Sequence, residues 1–199
     1  MKIVHLLPLL MLTINFSGSP APAELQGYAA ARVGSFKKVV ANEDEIIPWQ
    51  SLRRLGWEDF LCEPQKQGDA VASTSTSLGI SYQLKNNELT YTITCNFSKK
   101  KSWGLLKTEY ILAHEQAHFD ITELHARKLY EALYQYEFNP ETFKKDIAAI
   151  YERIVKEKEV MQEAYDSETD HSRKKRMQYD WLERINSMLA ETEQFAVYP

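Results

Sequence analysis

Cysteine is scarce in this 199-residue chain, surplus positive charge is absent, and long apolar runs are missing beyond the amino terminus. The only cysteines are Cys62 and Cys95, and neither has a second cysteine at ligand spacing, which argues against a Cys-based metal site. The 24 Lys and Arg residues are outnumbered by 28 Asp and Glu, for a formal net charge of −4. That balance argues against a nucleic-acid footprint, and the short basic clusters Lys99-Lys100-Lys101 and Arg173-Lys174-Lys175-Arg176 read as solvated surface. Past residue 16 no apolar run approaches the roughly 20 residues needed to span a bilayer. Neither an internal repeat nor a low-complexity tract is visible. What is present is 44% hydrophobic and 12% aromatic content, enough for one core and a single domain.

The amino terminus has the make-up of a secretory signal. Lys2 precedes an apolar run over residues 3–16, followed by Ser17-Gly18-Ser19-Pro20 and Ala21-Pro22-Ala23, with cleavage expected after Ala23. The expected organisation is a signal at residues 1–23 and one domain over residues 24–199. No cysteine lies near the cleavage position, so a lipid anchor is not expected. The mature chain is expected to be exported, to the periplasm or beyond. In that oxidising setting an even pair of cysteines usually bonds, and a Cys62–Cys95 disulfide is expected over two buried free thiols.

Residues 24–34 show no functional signal, residues 35–41 have the alternation of a short strand, and a second short strand is expected over residues 43–50, interrupted by Pro48. Trp57, Phe60 and Leu61 read as core residues beside a turn. From residue 70 to 97 the period is two: Ile80 and Tyr82, then Leu89, Tyr91, Ile93 and Cys95 alternate with polar residues, predicting a β-hairpin that turns at Lys85-Asn86-Asn87-Glu88. Helical spacing then takes over from about residue 104 to 136. Asn139-Pro140 offers a cap and first-turn proline for a second helix ending near Tyr165, and a third helix, capped by Ser172, carries Met177, Trp181, Ile185 and Leu189. The expected class is α+β: a small antiparallel sheet, a long helix, then two more.

The long helix contains His114-Glu115-Gln116-Ala117-His118, an H-E-x-x-H set in a run free of Pro and Gly. On a helix the two histidines stand about 6 Å apart along the axis and roughly 40° around it, so both imidazoles can reach one zinc ion. Glu115, roughly 100° round from His114, is placed beside the metal to act as general base toward an activated water. The five-letter pattern also arises by chance in roughly a few chains per thousand of this length. Four histidines remain after the signal: His114, His118, His125 and His171. Glu123 sits roughly 140° past His118 and faces away, while His125 lies about 10 Å further along the axis and reads as a surface residue. Asp120, Glu123 and Arg127 read as support, with Glu123 and Arg127 an i,i+4 pair. Tyr165 and Tyr179 are candidates to stabilise an oxyanion, against plain packing.

Ser102-Trp103, the run from Leu112 to Asp120 with Ile121 and Glu123, and Tyr165-Asp166-Ser167-Glu168-Thr169-Asp170-His171 with Gln178 and Trp181 together resemble a bacterial domain-of-unknown-function family described as predicted secreted zinc-dependent proteases. The similarity begins near Trp57-Glu58-Asp59-Phe60 and covers most of the chain after it. Where the family has a glycine after the histidine of the last segment, this chain has Ser172. The resemblance implies a zincin-like fold, and it places a histidine at His171. Catalytic zinc normally takes three protein ligands, so the expected set for one Zn2+ is His114, His118 and His171, with Glu168 and then Asp166 as alternatives in an expected loop over residues 165–172. The expected activity is hydrolysis of a peptide or protein substrate. The alternatives are a non-catalytic exported zinc-binding module, or an amidase acting on cell-wall peptides.

Overall fold

The computed structural model describes residues 45–64 and 69–198. The expected signal peptide and the strand expected over residues 35–41 lie outside the described residues. Among the described residues five strands precede three helices: β1 (Ile46–Pro48), β2 (Ala72–Ser73), β3 (Thr76–Lys85), β4 (Glu88–Ser98), β5 (Trp103–Gly104), α1 (Glu109–Tyr134), α2 (Phe143–Thr169) and α3 (Lys175–Glu191). The class is α+β, as the order of periodicities predicts.

The β3–β4 hairpin is the expected one. Asn86 and Asn87 take φ of 51° and 63°, the left-handed pair a two-residue turn needs and asparagine tolerates. β4 is the middle strand of an antiparallel β1–β4–β3 sheet, while β2 and β5 form a separate antiparallel pair. Along β4, Leu89, Tyr91, Ile93, Cys95 and Phe97 alternate inward onto α1 and α2. Pro48 ends the edge strand β1, where a missing N–H costs no ladder bond.

Because Cys95 faces that core, it is 3% exposed, and burial pushes its thiol well above the usual range. Cys62 lies elsewhere, its Sγ directed at the Glu63 carbonyl. Both are free thiols, so the expected Cys62–Cys95 disulfide is corrected: the period-two pattern that puts Cys95 inside takes it away from the loop carrying Cys62. Phe60 is buried as expected, whereas Leu61 is exposed.

The helices depart from expectation at their ends. Leu105 and Leu106 extend the apolar pattern in sequence but lie exposed on the approach to α1, which starts after Thr108, whose hydroxyl accepts the Ile111 N–H. Asn139-Pro140 builds a turn before α2, its Asn139 side chain accepting the Glu141 N–H, and the helix begins only at Phe143. At the far end α2 continues four residues beyond Tyr165, to Thr169. The chain then reverses through Asp170, His171 and Ser172, all at positive φ (51°, 49° and 71°), so Ser172 forms part of a left-handed turn and does not cap α3.

α1 is the element the others cover. One side meets β3 and β4; the other meets α2 and α3 in a second apolar cluster of Ala117, Ile121, Tyr165, Trp181 and Ile185. α2 is pinned to β3 through Tyr151, whose hydroxyl donates to the Leu78 carbonyl at 2.7 Å, and α1 meets β3 where Thr76 and Thr122 share a 2.7 Å hydrogen bond. No helix among the described residues is long and apolar enough to cross a membrane.

Candidate metal centre

One helical turn separates His114 from His118 on α1, and α2 passes antiparallel with Gln162 and Asp166 at the same spacing. The two helices therefore meet in matched steps, Asp166 at His114 and Gln162 at His118. His114 Nε2 and His118 Nε2 stand 3.3 Å apart, and each is 3.1 Å from Asp166 Oδ1. Among the described residues, these three form the group whose ligand atoms lie close enough together to hold a metal ion.

The surroundings orient these atoms. The Gln162 amide nitrogen donates to the His118 carbonyl at 2.8 Å and to Thr122 Oγ1 at 3.3 Å, which leaves its carbonyl to accept from His118 Nδ1. That keeps a hydrogen on His118 Nδ1 and turns its Nε2 toward Asp166. His114 is held by stacking: the Tyr165 ring lies 4.5 Å away at 22°, and Trp181 meets Tyr165 in turn at 5.5 Å, edge to face. The electrostatics follow from the crowding. Burial alone pulls His118 down, yet the hydrogen bond and charge of Asp166, with the charge of Glu115, outweigh it and raise the imidazole above its ordinary value. Burial works against ionised Asp166 too, but the two histidines hold its carboxyl well below the usual carboxylate range.

Glu115 is 4% exposed and lines the same cleft, and its Oε2 has no hydrogen-bond partner. A buried carboxylate oxygen without a donor is costly unless something occupies the space before it. The cleft, of about 1190 Å³, has residues 111–118 of α1 as its floor, α2 as one wall and the extended segment 69–76 as the other. The Val71 carbonyl, the Ser75 N–H and the Ser75 carbonyl bond toward β4 and β5, so by strand alternation the main-chain groups of Ala72 and Thr74 turn the opposite way.

The remaining residues singled out from the sequence fall in several places. His171 lines the cleft but lies outside the three-atom group: its Nδ1 is 3.6 Å from Asp166 Oδ1 and its side chain is 65% exposed. Glu168 accepts from Trp181 Nε1 at 2.8 Å, facing away from the histidines. Tyr165 and Tyr179 do not line the cleft, and the hydroxyl of Tyr165 is buried with no partner. His125 is not a surface residue; it is 1% exposed, Nδ1 against the Ile121 carbonyl. Glu123 and Arg127 pair at 2.8 Å in the interior, where Arg127 also reaches the Leu189 carbonyl and Tyr198 donates to Glu123. Asp120 accepts from Trp49, Arg54 and Gln116. Gln162 was missed in the sequence, although its i,i+4 spacing to Asp166, mirroring His114 and His118, was there to be read.

No curated protein and no solved structure matches this chain. A family model described as "Bacterial protein of unknown function (DUF922)" matches residues 51–172, a stretch that runs from the segment after β1 through both helices of the His114–His118–Asp166 group to the turn after α2. That stretch is well over half of the sequence, and the chain belongs to this family.

Proposed function

We propose that the protein is an exported zinc-dependent hydrolase of peptide bonds, with a zincin-like arrangement of helix and edge strand, in which His114, His118 and Asp166 hold one Zn2+ and Glu115 is the general base. The observation that carries this reading is the triangle of ligand atoms, with sides of 3.1, 3.1 and 3.3 Å. Ligands about 2.0 Å from zinc at tetrahedral angles stand roughly 3.3 Å apart, so the three atoms already lie close to the spacing of one tetrahedral face. A carboxylate and two imidazoles are also a donor set suited to catalytic zinc. Asp166 is preferred to His171 as third ligand because its oxygen is already within reach of both imidazoles.

When bound, zinc would supply Lewis acidity, lowering the pKa of a water and polarising a carbonyl. Glu115 Oε2, buried and without a donor, takes the proton from that water and returns it to the departing amine. Gln162 and Tyr165 keep the two imidazoles from rotating. The cleft-facing main chain of Ala72 and Thr74 supports a peptide substrate, because an extended chain can pair with it whatever its side chains. Export rests on the signal-like composition of residues 1–23.

Metal analysis of the purified protein tests the ligand set. One zinc per chain is expected in wild type and in His171→Ala, and almost none in Asp166→Ala; the opposite pattern for the two variants rejects Asp166. Glu115→Gln should keep its zinc and lose about 10³-fold in peptide cleavage. Full activity in a zinc-loaded Glu115→Gln protein would remove Glu115 from the chemistry.

A further inference from the structure

The charges lining the cleft are not evenly spread. Asp69 and Thr76 mark the two ends of the extended wall. At the Asp69 end Arg173 Nη2 reaches the Asp69 carbonyl at 3.4 Å, and the Tyr110 hydroxyl donates to the Ser172 carbonyl at 2.7 Å, so this end lies over the start of α1. At the Thr76 end the contact with Thr122 places the cleft over the middle of α1. Arg173 and Lys175 line the first end, where Asp69 is the acidic residue beside them. Arg173 has only long carboxylate partners, Asp170 at 3.5 Å and Asp69 at 3.9 Å, and Lys175 lies over the Tyr110 ring at 5.6 Å with no carboxylate paired to it among the described residues. Between these cations and the histidines the lining includes the apolar Trp103, Leu106 and Ile111, beside Thr108 and Tyr110. Toward the other end α2 contributes Glu159 and Glu163, neither paired with a base among the described residues, and Lys158 offsets one of them.

We propose that the cleft selects its substrate by charge and by direction: it takes an extended peptide antiparallel to residues 71–75, with an apolar side chain on the carboxyl side of the cleaved bond and a carboxylate beyond it at Arg173 and Lys175. The direction follows from the wall. The segment 69–76 runs from the basic end toward Thr122, so a chain pairing antiparallel to it has its carboxyl-side residues at the basic end. The apolar side chain fills the space at Trp103, Leu106 and Ile111, and the two cations meet the negative group. Glu159 and Glu163 favour a cationic residue on the amino side. The carboxylate can be the terminus of a short peptide or an Asp or Glu side chain within a longer one; the cations recognise the same group in both. This inference rests on the reading of the cleft as a peptide-hydrolase site.

The experiment uses zinc-loaded Glu115→Gln protein, which turns peptides over too slowly to consume them during the measurement, and fluorophore-labelled peptides of eight to ten residues sharing an Ala-Leu step at positions 5 and 6. One peptide carries Asp two residues past Leu and an amidated end, a second carries Lys there, and a third ends at that position in a free carboxylate. By fluorescence anisotropy at low salt, the Asp peptide should bind about tenfold more tightly than the Lys peptide. The free-acid peptide shows whether a chain terminus is preferred to a side chain. In Arg173→Glu/Lys175→Glu the preference should reverse, and in the milder Arg173→Gln/Lys175→Gln it should vanish with the melting temperature unchanged. Equal affinities for the Asp and Lys peptides, an unaltered preference in both double variants, or binding of no peptide overturns the proposal. Wild-type cleavage is scored separately: charge-selective binding without cleavage rejects the hydrolase alone, while cleavage without charge selectivity rejects this inference alone.

Discussion

Divided at Phe119 into a front and a rear half, α1 carries the same kinds of buried polar side chain in both and uses them in opposite ways. In the rear half, Asp120 receives three hydrogen bonds and Glu123 is matched by Arg127 and Tyr198, so both oxygens of each carboxylate have a partner within the protein. In the front half, His114 and His118 turn their Nε2 atoms toward one shared point with Asp166, and Glu115 keeps an oxygen without any partner. The rear half is closed by Trp49, the end of α3 and Tyr198, whereas the front half opens on the cleft. Buried polarity therefore does not by itself mark a functional site. What separates the halves is capacity left unfilled beside a space large enough for a ligand.

The sharpest way to test that division is to damage the rear half and watch the front. Arg127→Met leaves Glu123 as an uncompensated charge in the interior and should cost about 3–5 kcal/mol, read by urea denaturation. Zinc bound per folded molecule should not change; if it falls with stability, the halves are not independent. A smaller effect concerns His125, whose imidazole burial pulls down from 6.5 to about 4. Such a histidine is neutral in the fold and gains its proton more readily in the unfolded chain. Stability present above pH 6.5 should therefore be lost as the pH falls toward 4, by about 3 kcal/mol in all, and His125→Leu should flatten that slope. A denaturation series between pH 7 and 4 on both proteins decides it.

Damage to the front half should have the reverse signature. Gln162→Leu frees the His118 ring and should weaken zinc binding about 10- to 100-fold in a chelator competition, with little change in the melting temperature of the metal-free protein. A large loss of metal-free stability would make Gln162 a structural residue like Asp120. Smallest is Ser172→Gly. At φ 71° the serine pays for a left-handed conformation that glycine adopts freely, so the change should stabilise the fold by about 0.5–1 kcal/mol in thermal melts and leave zinc content unaltered.

Local patterns were legible in the sequence where a period or a turn chemistry forced one answer. The hairpin, with its inward Tyr91, Ile93 and Cys95 and its Asn86-Asn87 turn, is of that kind, as is the shared face of His114 and His118. The ends of helices were harder. Leu105 and Leu106 continue a helical pattern yet remain exposed, because hydrophobicity alone does not distinguish a helix from its approach. The end of α2 was set too early because no glycine follows it; Asp170 adopts the left-handed closing position instead. That displacement of four residues turns Asp166 from a loop residue into a helical one aligned with His114. The cysteine pairing failed for a different reason: parity and compartment say that a bond is affordable, but only the strand face says where a thiol points.

Leu52 stands 99% exposed at the tip of a tight reversal in which the Arg53 N–H returns to the Gln50 carbonyl. Both sides of that tip are sewn to α1, Trp49 and Arg54 through Asp120, and Leu55 through the Gln116 side chain. The backbone can therefore be opened at Leu52, by a nick, a grafted epitope or relocated chain ends, without releasing the strands of protein that brace the residue next to Glu115.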